Sequence, residues 1–225
     1  MNTPHPDLHP GFDHTVRLFP LPDHVAFPRI AMPLHIFESR YLEMFEDAIA
    51  GDGLLALATL LPGHSYDYYS RAPIAPTVCI GRIQEQQKTD QGTYLFTFAG
   101  IARAEVDHEI EPVRSFRRAK VALLDETRGR PKDAKQIEVA LVSLIKESLE
   151  DAEPLVEAVS RGQLSLPALT DFLGFYLPLS LTQKLELLSE TDGYSRARKL
   201  MEHWPTEPRE PTDPEPGFPN RFSVN

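Results

Sequence analysis

Three closely spaced carboxylates, Glu43, Glu46 and Asp47, could serve as a general acid and base. Groups in that role need a desolvating pocket that moves their pKa values toward neutrality. These three fall outside the apolar stripe of an amphipathic helix, which consists of Tyr41, Leu42, Phe45, Ala48 and Ile49. The pattern therefore predicts a solvated helix surface and no acid–base pair.

Cysteine and histidine residues offer the next candidates for chemistry. The chain holds 1 cysteine, Cys79, which lies between Val78 and Ile80 and cannot form an internal disulfide. A small, semi-apolar side chain in such a run is more often part of the core than a nucleophile. His5, His9 and His14 could ligate a metal, but they lie in proline-broken sequence without a helix or hairpin to fix them. We therefore expect a buried cysteine and no metal site.

Motifs of the common catalytic families do not occur in the sequence. No glycine is followed by lysine, which excludes a Gly-Lys-Ser/Thr phosphate loop and the ATP hydrolysis that depends on it. A Gly-x-Ser-x-Gly elbow, a His-Glu-x-x-His pair and a cysteine pair are also missing. The sequence therefore predicts a protein that is not an enzyme and needs no cofactor.

The charge balance argues against a nucleic-acid-binding surface. The chain carries 23 Lys and Arg residues against 33 Asp and Glu residues, which gives a formal net charge of −10. Affinity for nucleic acids comes mainly from Lys and Arg side chains that neutralise phosphates. The densest basic group, Arg114, Arg117, Arg118 and Lys120, is typical of a solvated strand edge. We therefore expect no nucleic-acid partner.

Prolines divide the first half of the chain into short strands. Pro20, Pro22, Pro28 and Pro33 cannot donate ladder hydrogen bonds, so the apolar pieces between them must be short or lie at sheet edges. Further strands are predicted at 54–61, 77–88, 93–99, 101–107 and 116–124. One helix, ending at Gly51, interrupts them. This pattern is typical of the rim of a small barrel.

Beyond residue 125 the apolar period becomes helical. Two stripes share helical spacing: Ile137, Leu141, Leu144, Ile145 and Leu149, then Leu166, Leu169, Phe172, Leu173 and Tyr176. Ser180 and Gln183 have the spacing of a capping box, and Asp192 can cap a last helix. The second half of the chain is therefore predicted to be a helical bundle.

Together these patterns predict an α+β fold in five segments. They are a flexible tail at 1–14, a β-rich domain at 15–125, a linker at 126–132, a helical bundle at 133–204 and a Pro-rich disordered tail at 205–225. The last segment has proline at every third position from 205 to 214 and little apolar surface, so it is expected to be extended and solvated.

Four motifs of the β-rich part carry a resemblance to a known family. They are Pro33-Leu34-His35-Ile36-Phe37-Glu38 with Arg40-Tyr41, then Gly81-Arg82-Ile83, Gly92-Thr93-Tyr94 and Gly100-Ile101-Ala102-Arg103. In this order they resemble the N-terminal, substrate-binding domain of Lon proteases, over about residues 15 to 203. The resemblance implies a PUA-like pseudo-barrel of short strands with one early helix, followed by a C-terminal helical bundle. Whole Lon proteases add an ATPase and a peptidase domain after the matched region.

The resemblance also implies a role in recognising polypeptides without catalysis, as a proteolysis adaptor or a chaperone-like binder. An apolar groove, between the two parts or at the barrel rim, would accept unfolded or tagged polypeptides. A separate protease is a second candidate partner. The candidate contact residues have large apolar surfaces on predicted rim or loop positions: Phe27, Met32, Tyr66, Tyr68 and Tyr69.

Two other classes of function remain open from the sequence. PUA-like folds often bind RNA, although the low basicity of this chain opposes RNA or nucleotide binding. An enzyme that acts on a small molecule in a pocket is the other class, which the missing nucleophile and metal ligands oppose. The longest nearly unbroken apolar stretch, 54–61, is too short to cross a bilayer, so no membrane association is expected. We expect a reducing, cytoplasmic location.

Overall fold

The structure is a computed structural model that describes residues 8–61, 71–111, 114–127, 129–149 and 151–205. Nearly all of the predicted C-terminal tail lies outside the described residues, as does the tyrosine-rich loop with Tyr66, Tyr68 and Tyr69. Within the described residues, six strands come with one early helix, and five helices follow them. The α+β fold predicted from the change of period is therefore confirmed.

The strands of the described residues form one mixed sheet that closes on itself. They are β1 (Thr15–Leu21), β2 (Ala31–Ile36), β3 (Leu54–Thr59), β4 (Thr77–Lys88), β5 (Tyr94–Ile110) and β6 (Arg118–Leu124). The order is β2-β5-β4-β3-β1-β6, and a further pairing of β5 with β6 closes the ring. β2 lies outside this ring, paired with the first half of β5. Pro33 fits such an edge strand because it has no N–H to donate.

β5 is one long strand where the sequence predicted two. It runs through Gly100, and its register against β4 shifts at that level. A Cβ on Gly100 would lie only 2.1 Å from the carbonyl oxygen of Phe27. The backbone N–H of Arg29 donates to the carbonyl oxygen of Gly100 at 2.8 Å. Glycine therefore allows the chain before β2 to lie directly on β5.

The early helix, α1 (Ser39–Ala50), packs against the strands through its predicted stripe. Tyr41 and Phe45 are buried, and the ring of Phe45 lies 4.7 Å from the ring of Tyr94. Ile49, at the edge of the stripe, is 37% exposed. The period predicted for this helix is therefore confirmed, except at its C-terminal end.

The remaining helices form the second half of the described chain. They are α2 (Ala134–Ser148), α3 (Glu153–Ser160), α4 (Leu166–Tyr176), α5 (Leu181–Ser189) and α6 (Gly193–Glu202). The capping box of α5 is present, since Ser180 accepts from the N–H of Gln183 while the Gln183 side chain accepts from the N–H of Ser180. Asp192 caps α6 by accepting from the N–H of Ser195 at 2.7 Å. Both predicted caps are confirmed.

Buried apolar side chains of the described residues gather in two clusters. The barrel core lies inside the strand ring and consists of Leu8, Val16, Leu18, Leu54, Ala56, Ala58, Val78, Ile80, Ala104, Ala119 and Val121. The helix-facing core lies between the strands and the helices, and it includes Phe27, Phe45, Phe98, Leu141 and Leu173. Leu8 belongs to the predicted N-terminal tail but is only 5% exposed, so the described part of that segment lies against the barrel.

Candidate functional site

A cleft lies where the barrel meets the helical bundle. Its volume is about 770 Å³, within the range of about 300–1,000 Å³ that ligand sites usually show. On the barrel side it is lined by residues 28–29, 101–103, 124–127 and 129–130, and on the helical side by 138, 165–167 and 193–194. The cleft is at one of the two places where the sequence analysis expected a groove. Its lining mixes charged and apolar side chains, however.

Five charged side chains form the floor of the cleft and the layer behind it: Arg29, Arg103, Glu126, Asp171 and Arg196. We call this group the charge cluster. Arg103, Asp171 and Arg196 are at most 2% exposed, and in the part of the chain that the structure describes they are the buried charged residues. Because a buried charge is costly unless it is paired, the partners within this cluster decide how the two halves fit together.

Asp171, on α4, is the centre of the charge cluster. Its Oδ1 accepts a hydrogen bond from Nη2 of Arg103 and lies 3.5 Å from Nε of Arg196. Its Oδ2 accepts from Nη2 of Arg29 at 2.6 Å. These contacts from β5, from α6 and from the chain before β2 replace the water that burial removes.

Glu126 is the second carboxylate of the charge cluster. Its Oε1 accepts from Nη2 of Arg29 at 2.5 Å and from Nη2 of Arg196 at 3.1 Å, and Nη1 of Arg103 lies 3.6 Å away. Burial alone would raise the pKa of this carboxyl. The three guanidiniums outweigh that effect and hold the pKa of Glu126 below its ordinary value of 4.5. The sequence analysis assigned this residue to a linker.

Two of the arginines use their other donors inside the protein. Nε of Arg103 donates to the carbonyl oxygen of Leu188 at 2.8 Å. Nε and Nη1 of Arg196 donate to Oγ1 of Thr170 at 3.0 Å and to the carbonyl oxygen of Glu190 at 2.6 Å. Burial, together with the positive charge of Arg103, lowers the pKa of Arg196. With three guanidiniums and two carboxylates, the charge cluster carries a formal charge of +1.

Arg29 reaches the cleft from a constrained backbone position. Its φ is +67°, in the left-handed region that side chains other than glycine seldom adopt. Its side chain is 40% exposed in the cleft wall. Asp171 and Glu126 raise the pKa of Arg29 against the opposing effect of burial. The residue is therefore a fixed positive charge at the solvent side of the charge cluster.

Two of the described helices begin beside the cleft. Ser165, the N-cap of α4, and Gly193, the first residue of α6, both line it. The N-terminal end of a helix carries a partial positive charge and backbone N–H groups without partners in the helix. Because Ser165 is neutral, the start of α4 adds positive potential to the inner end of the cleft, whereas the Asp192 carboxylate that caps α6 offsets that of α6.

The outer rim of the cleft has the opposite character. Glu138 accepts a hydrogen bond from the hydroxyl of Tyr194 at 2.8 Å and pairs with Arg130 at 3.4 Å. Burial and the nearby Glu138 carboxylate raise the pKa of Tyr194. Asp125 is exposed at the same rim. The cleft thus offers a positive inner end, a partly acidic rim, and apolar walls that include Ile101 and Leu166.

Two of the candidate contact residues, Phe27 and Met32, are not brought to this cleft. Phe27 is 0% exposed, and its ring lies beside Gly174 of α4. Met32 points into the helix-facing core and is 8% exposed. Both side chains are core residues here, in contrast to the rim positions expected for them, because the chain before β2 folds back onto β5. Tyr66, Tyr68 and Tyr69 lie outside the described residues, so their role stays a prediction.

Glu43, Glu46 and Asp47, the three carboxylates considered as candidates for acid–base catalysis, accept hydrogen bonds from other side chains. Asp47 accepts hydrogen bonds from Arg17 and Arg114, Glu43 from Ser115 and Glu46 from Tyr94. They tie α1 to neighbouring parts of the chain. Glu43 and Glu46 are exposed, as the predicted solvated helix surface requires.

Cys79 is a core residue, as predicted, and the aromatic face of β5 also belongs to the core. Cys79 is fully buried, and its burial raises the pKa of the thiol to about 12, which disfavours the nucleophilic thiolate. Tyr94, Phe96 and Phe98 are buried in the helix-facing core and offer no exposed stacking surface. In the described residues, no group of three or more His, Cys, Asp and Glu side chains could hold a metal ion. No described helix has the length and apolarity of a membrane span.

The charge cluster was missed by the sequence analysis. A signal was present, since Arg196 shares the stripe of α6 with Leu200, and Asp171 interrupts the apolar run around Leu169 and Leu173. A charged residue at a core position of a helix requires a buried partner of opposite charge. Two such positions of opposite sign, on different helices, would have suggested an ion pair. They would not have identified Arg29 or Glu126.

Comparisons with known proteins agree with this architecture. A Lon N-terminal domain protein from Xanthomonas campestris has 21% sequence identity and a TM-score of 0.64, covering 85% of this chain and 99% of that structure. The N-terminal domain of a Mycobacterium avium complex Lon protease has 20% identity and a TM-score of 0.65, covering 84% and 96%. At these identities the likeness shows the fold.

Two curated Lon proteases match this chain over a small part of their own length. A Lon protease of Desulfosudis oleivorans is 21% identical over 189 residues, which are 83% of this chain and 23% of the relative. A Lon protease of Azorhizobium caulinodans is 26% identical over 203 residues, which are 87% of this chain and again 23% of the relative. The chain therefore spans about a quarter of the length of these relatives.

A family model matches most of the chain. The sequence model described as the substrate-binding domain of ATP-dependent protease La (LON) matches residues 15–204, from the start of β1 to the residues after α6. That match takes in the whole described sheet, all the described helices and all five members of the charge cluster. The chain therefore belongs to the Lon substrate-binding domain family.

Proposed function

We propose that this protein recognises polypeptide segments, without catalysing a reaction, in the cleft between the barrel and the helical bundle. The observation that carries the proposal is the family match over residues 15–204, to a domain described as substrate-binding. The cleft supports it, because it combines apolar walls with fixed hydrogen-bonding groups, as binding sites for flexible ligands usually do.

The lining of the cleft suits an extended chain. Ile101, Leu124 and Leu166 supply apolar surface for side chains, while Arg29 and Tyr194 supply polar groups that can meet the backbone or polar side chains of the bound segment. The acidic rim and the net charge of −10 would favour segments with basic flanks. Unfolded or tagged polypeptides are the proposed clients.

A proteolysis adaptor and a chaperone-like binder are two forms of this function. An adaptor must bind a separate protease as well as the client, whereas a chaperone-like binder needs the client alone. Co-purification of the intact chain from its own cells separates them, since recovery of a protease together with client proteins supports the adaptor. Recovery of clients without a protease supports the chaperone-like form.

Binding to a permanently unfolded protein tests the proposal directly. The probe is a fluorescent protein fragment whose cysteines have been reduced and alkylated, titrated with the full chain, and the same protein in its native state is the comparison. We expect affinity for the unfolded form that changes little with salt, because apolar contacts are not screened. A labelled single-stranded RNA is titrated in parallel. Tight, steeply salt-dependent RNA binding without affinity for the unfolded protein would overturn the proposal.

A cleft-filling variant links binding to the proposed site. Gly129 lines the cleft, and a Cβ there would meet the Thr127 methyl carbon at 4.0 Å, an ordinary contact, so Gly129→Trp adds an indole ring to the lining without a backbone clash. We expect it to weaken binding of the unfolded protein by about tenfold or more, a loss of about 1.4 kcal/mol. Ser160→Trp adds the same ring on an exposed position of α3 and serves as the control. Equal affinities of the two variants would place the binding surface elsewhere.

A further inference from the structure

Arg29 differs from the other arginines of the charge cluster in the donors that it has left over. It contacts Glu126 and Asp171 through Nη2 alone. Its Nε and Nη1 groups have no hydrogen-bond partner in the part of the chain that the structure describes. Arg103 and Arg196, by contrast, use Nε as well as both Nη atoms in contacts with protein oxygens. Arg29 is therefore the guanidinium of the cluster that can donate to a ligand.

The surroundings of Arg29 favour an anion at its remaining donors. The charge cluster keeps a formal charge of +1 after its internal pairs are made. The N-terminal end of α4, capped by the neutral Ser165, begins at the same cleft and adds to the positive potential, whereas the Asp192 carboxylate that caps α6 offsets the potential of that helix end. The acidic groups of the rim oppose it less, since Asp125 is exposed to screening solvent and Glu138 is already paired with Arg130.

Arg29 is also held in place before any ligand arrives. Its backbone N–H is bound to Gly100, and two carboxylates fix one edge of its guanidinium. Its positive φ is a backbone conformation of the kind that recurs at functional sites. A donor that is already ordered loses little conformational entropy when it binds, which favours affinity.

We propose that Arg29 binds a carboxylate of the polypeptide held in the cleft, either the C-terminal carboxylate or that of an Asp or Glu side chain. This inference rests on the proposed function. It adds the chemical class of the ligand group that the inner end of the cleft selects. A carboxylate fits better than the phosphates of a polyanion, because the net charge of −10 would repel a nucleic acid at long range. A single carboxylate interacts mainly with the positive charge of the charge cluster close to it.

The test compares three forms of one apolar peptide without other acidic residues, each carrying a neutral fluorophore. The first has a free C-terminal carboxylate, the second a C-terminal amide, and the third a C-terminal amide with one internal Asp. Anisotropy titrations use the full chain. We expect the amide to bind about fivefold to tenfold more weakly than the free acid, or than the internal-Asp form, since a charge-assisted hydrogen bond at a partly exposed arginine is lost. Which acidic form regains affinity identifies the source of the carboxylate.

Variants of the protein locate the effect. Arg29→Gln should bind all three peptides with the affinity that the wild type shows for the amide, and Arg29→Lys should keep part of the preference. Arg161→Gln removes an exposed arginine at the C-cap of α3 and should leave the preference unchanged. If Arg29→Gln does not fold, the comparison of peptides on the wild type and on Arg29→Lys still decides the matter.

Two results would overturn the inference, and they are distinguishable from failure of the proposed function. Equal affinity of the wild type for the acidic and the amide peptides would remove the carboxylate site while polypeptide recognition stands. Displacement of the free-acid peptide by single-stranded RNA but not by excess acetate would show that the inner end selects phosphate instead. If none of the peptides binds and the unfolded protein fails as well, both proposals fall together.

Discussion

The barrel core is buried, and so is the charge cluster except at Arg29 and Glu126, but different forces hold the two regions. The barrel core is built from small and branched apolar side chains whose alternate positions along each strand point inward. The charge cluster joins the barrel to the helices through Arg103, Asp171 and Arg196, with no buried side-chain polar atom of the described residues left unpaired. Apolar side chains fill the barrel, whose ring is closed by the pairing of β5 with β6. The junction uses charges that cost desolvation energy.

This difference suggests why the charges are at the junction. A buried ion network contributes little net stability compared with well-packed apolar residues of the same volume, because desolvation offsets much of the attraction. A network beside a cleft can also serve recognition, since its excess charge is available to a ligand. The two regions should therefore respond differently to mutation and to pH.

Removal of the central carboxylate should produce the largest effect. Asp171→Ala leaves Arg103 and Arg196 buried, with one carboxylate, Glu126, for both. We expect the free energy of unfolding to fall by ~3–5 kcal/mol, as for other buried pairs that lose one partner. Urea denaturation measures it. Glu157→Ala, which breaks an exposed pair with Arg161 on α3, is the control and should cost ~0.5 kcal/mol or less. A loss at Asp171 as small as that of the control would mean that the arginines find other partners.

The barrel core should respond to lost volume and not to pH. Leu18 is completely buried inside the strand ring, so Leu18→Ala should cost ~2–5 kcal/mol through lost apolar burial and the cavity left behind. The same loss is expected at neutral and at mildly acidic pH, since no titratable group belongs to this cluster. Val139→Ala, on an exposed side chain of α2, should cost ~0.5 kcal/mol or less. A pH-dependent loss at Leu18 would contradict the separation of the two regions.

The sequence was informative where local pattern decides the structure. The stripe of α1, the capping box of Ser180 and Gln183, and the burial of Cys79 all follow from spacing and neighbours within a few residues. The shape of the barrel came from the family resemblance, since no local rule specifies that β1 runs parallel to β3 or that β5 closes onto β6.

The candidate site was not predictable in the same way. Arg29 and Asp171 are 142 residues apart in the chain, and Arg103 and Asp171 are 68 apart. Nothing in the local sequence of either residue specifies the other. Phe27 had the appearance of a rim residue because prolines surround it, but the close approach of its carbonyl to Gly100 buries it. Contacts between elements that are distant in the sequence depend on the tertiary fold. Residue types alone therefore did not predict which residues pair.

Glu126 should make the smaller, pH-dependent contribution that separates the charge cluster from the barrel core. Its pKa in the folded protein is below the ordinary 4.5, so its stabilisation is complete above that value and is lost as pH falls through the folded pKa. We expect Glu126→Gln to lower the free energy of unfolding by ~1–2 kcal/mol at neutral pH, because its charge-assisted hydrogen bonds with Arg29 and Arg196 weaken.

The pH profile distinguishes this effect from a simple packing defect. As pH falls through the lowered pKa of Glu126, the wild-type carboxyl becomes protonated and resembles the glutamine, so the difference between variant and wild type should shrink toward zero. Urea denaturation at several pH values measures that difference, with Leu18→Ala as the pH-independent comparison. If Glu126→Gln lost the same stability at every pH, its side chain would be acting through shape. The contrast between a junction held by charge and a barrel held by packing would then fail at Glu126.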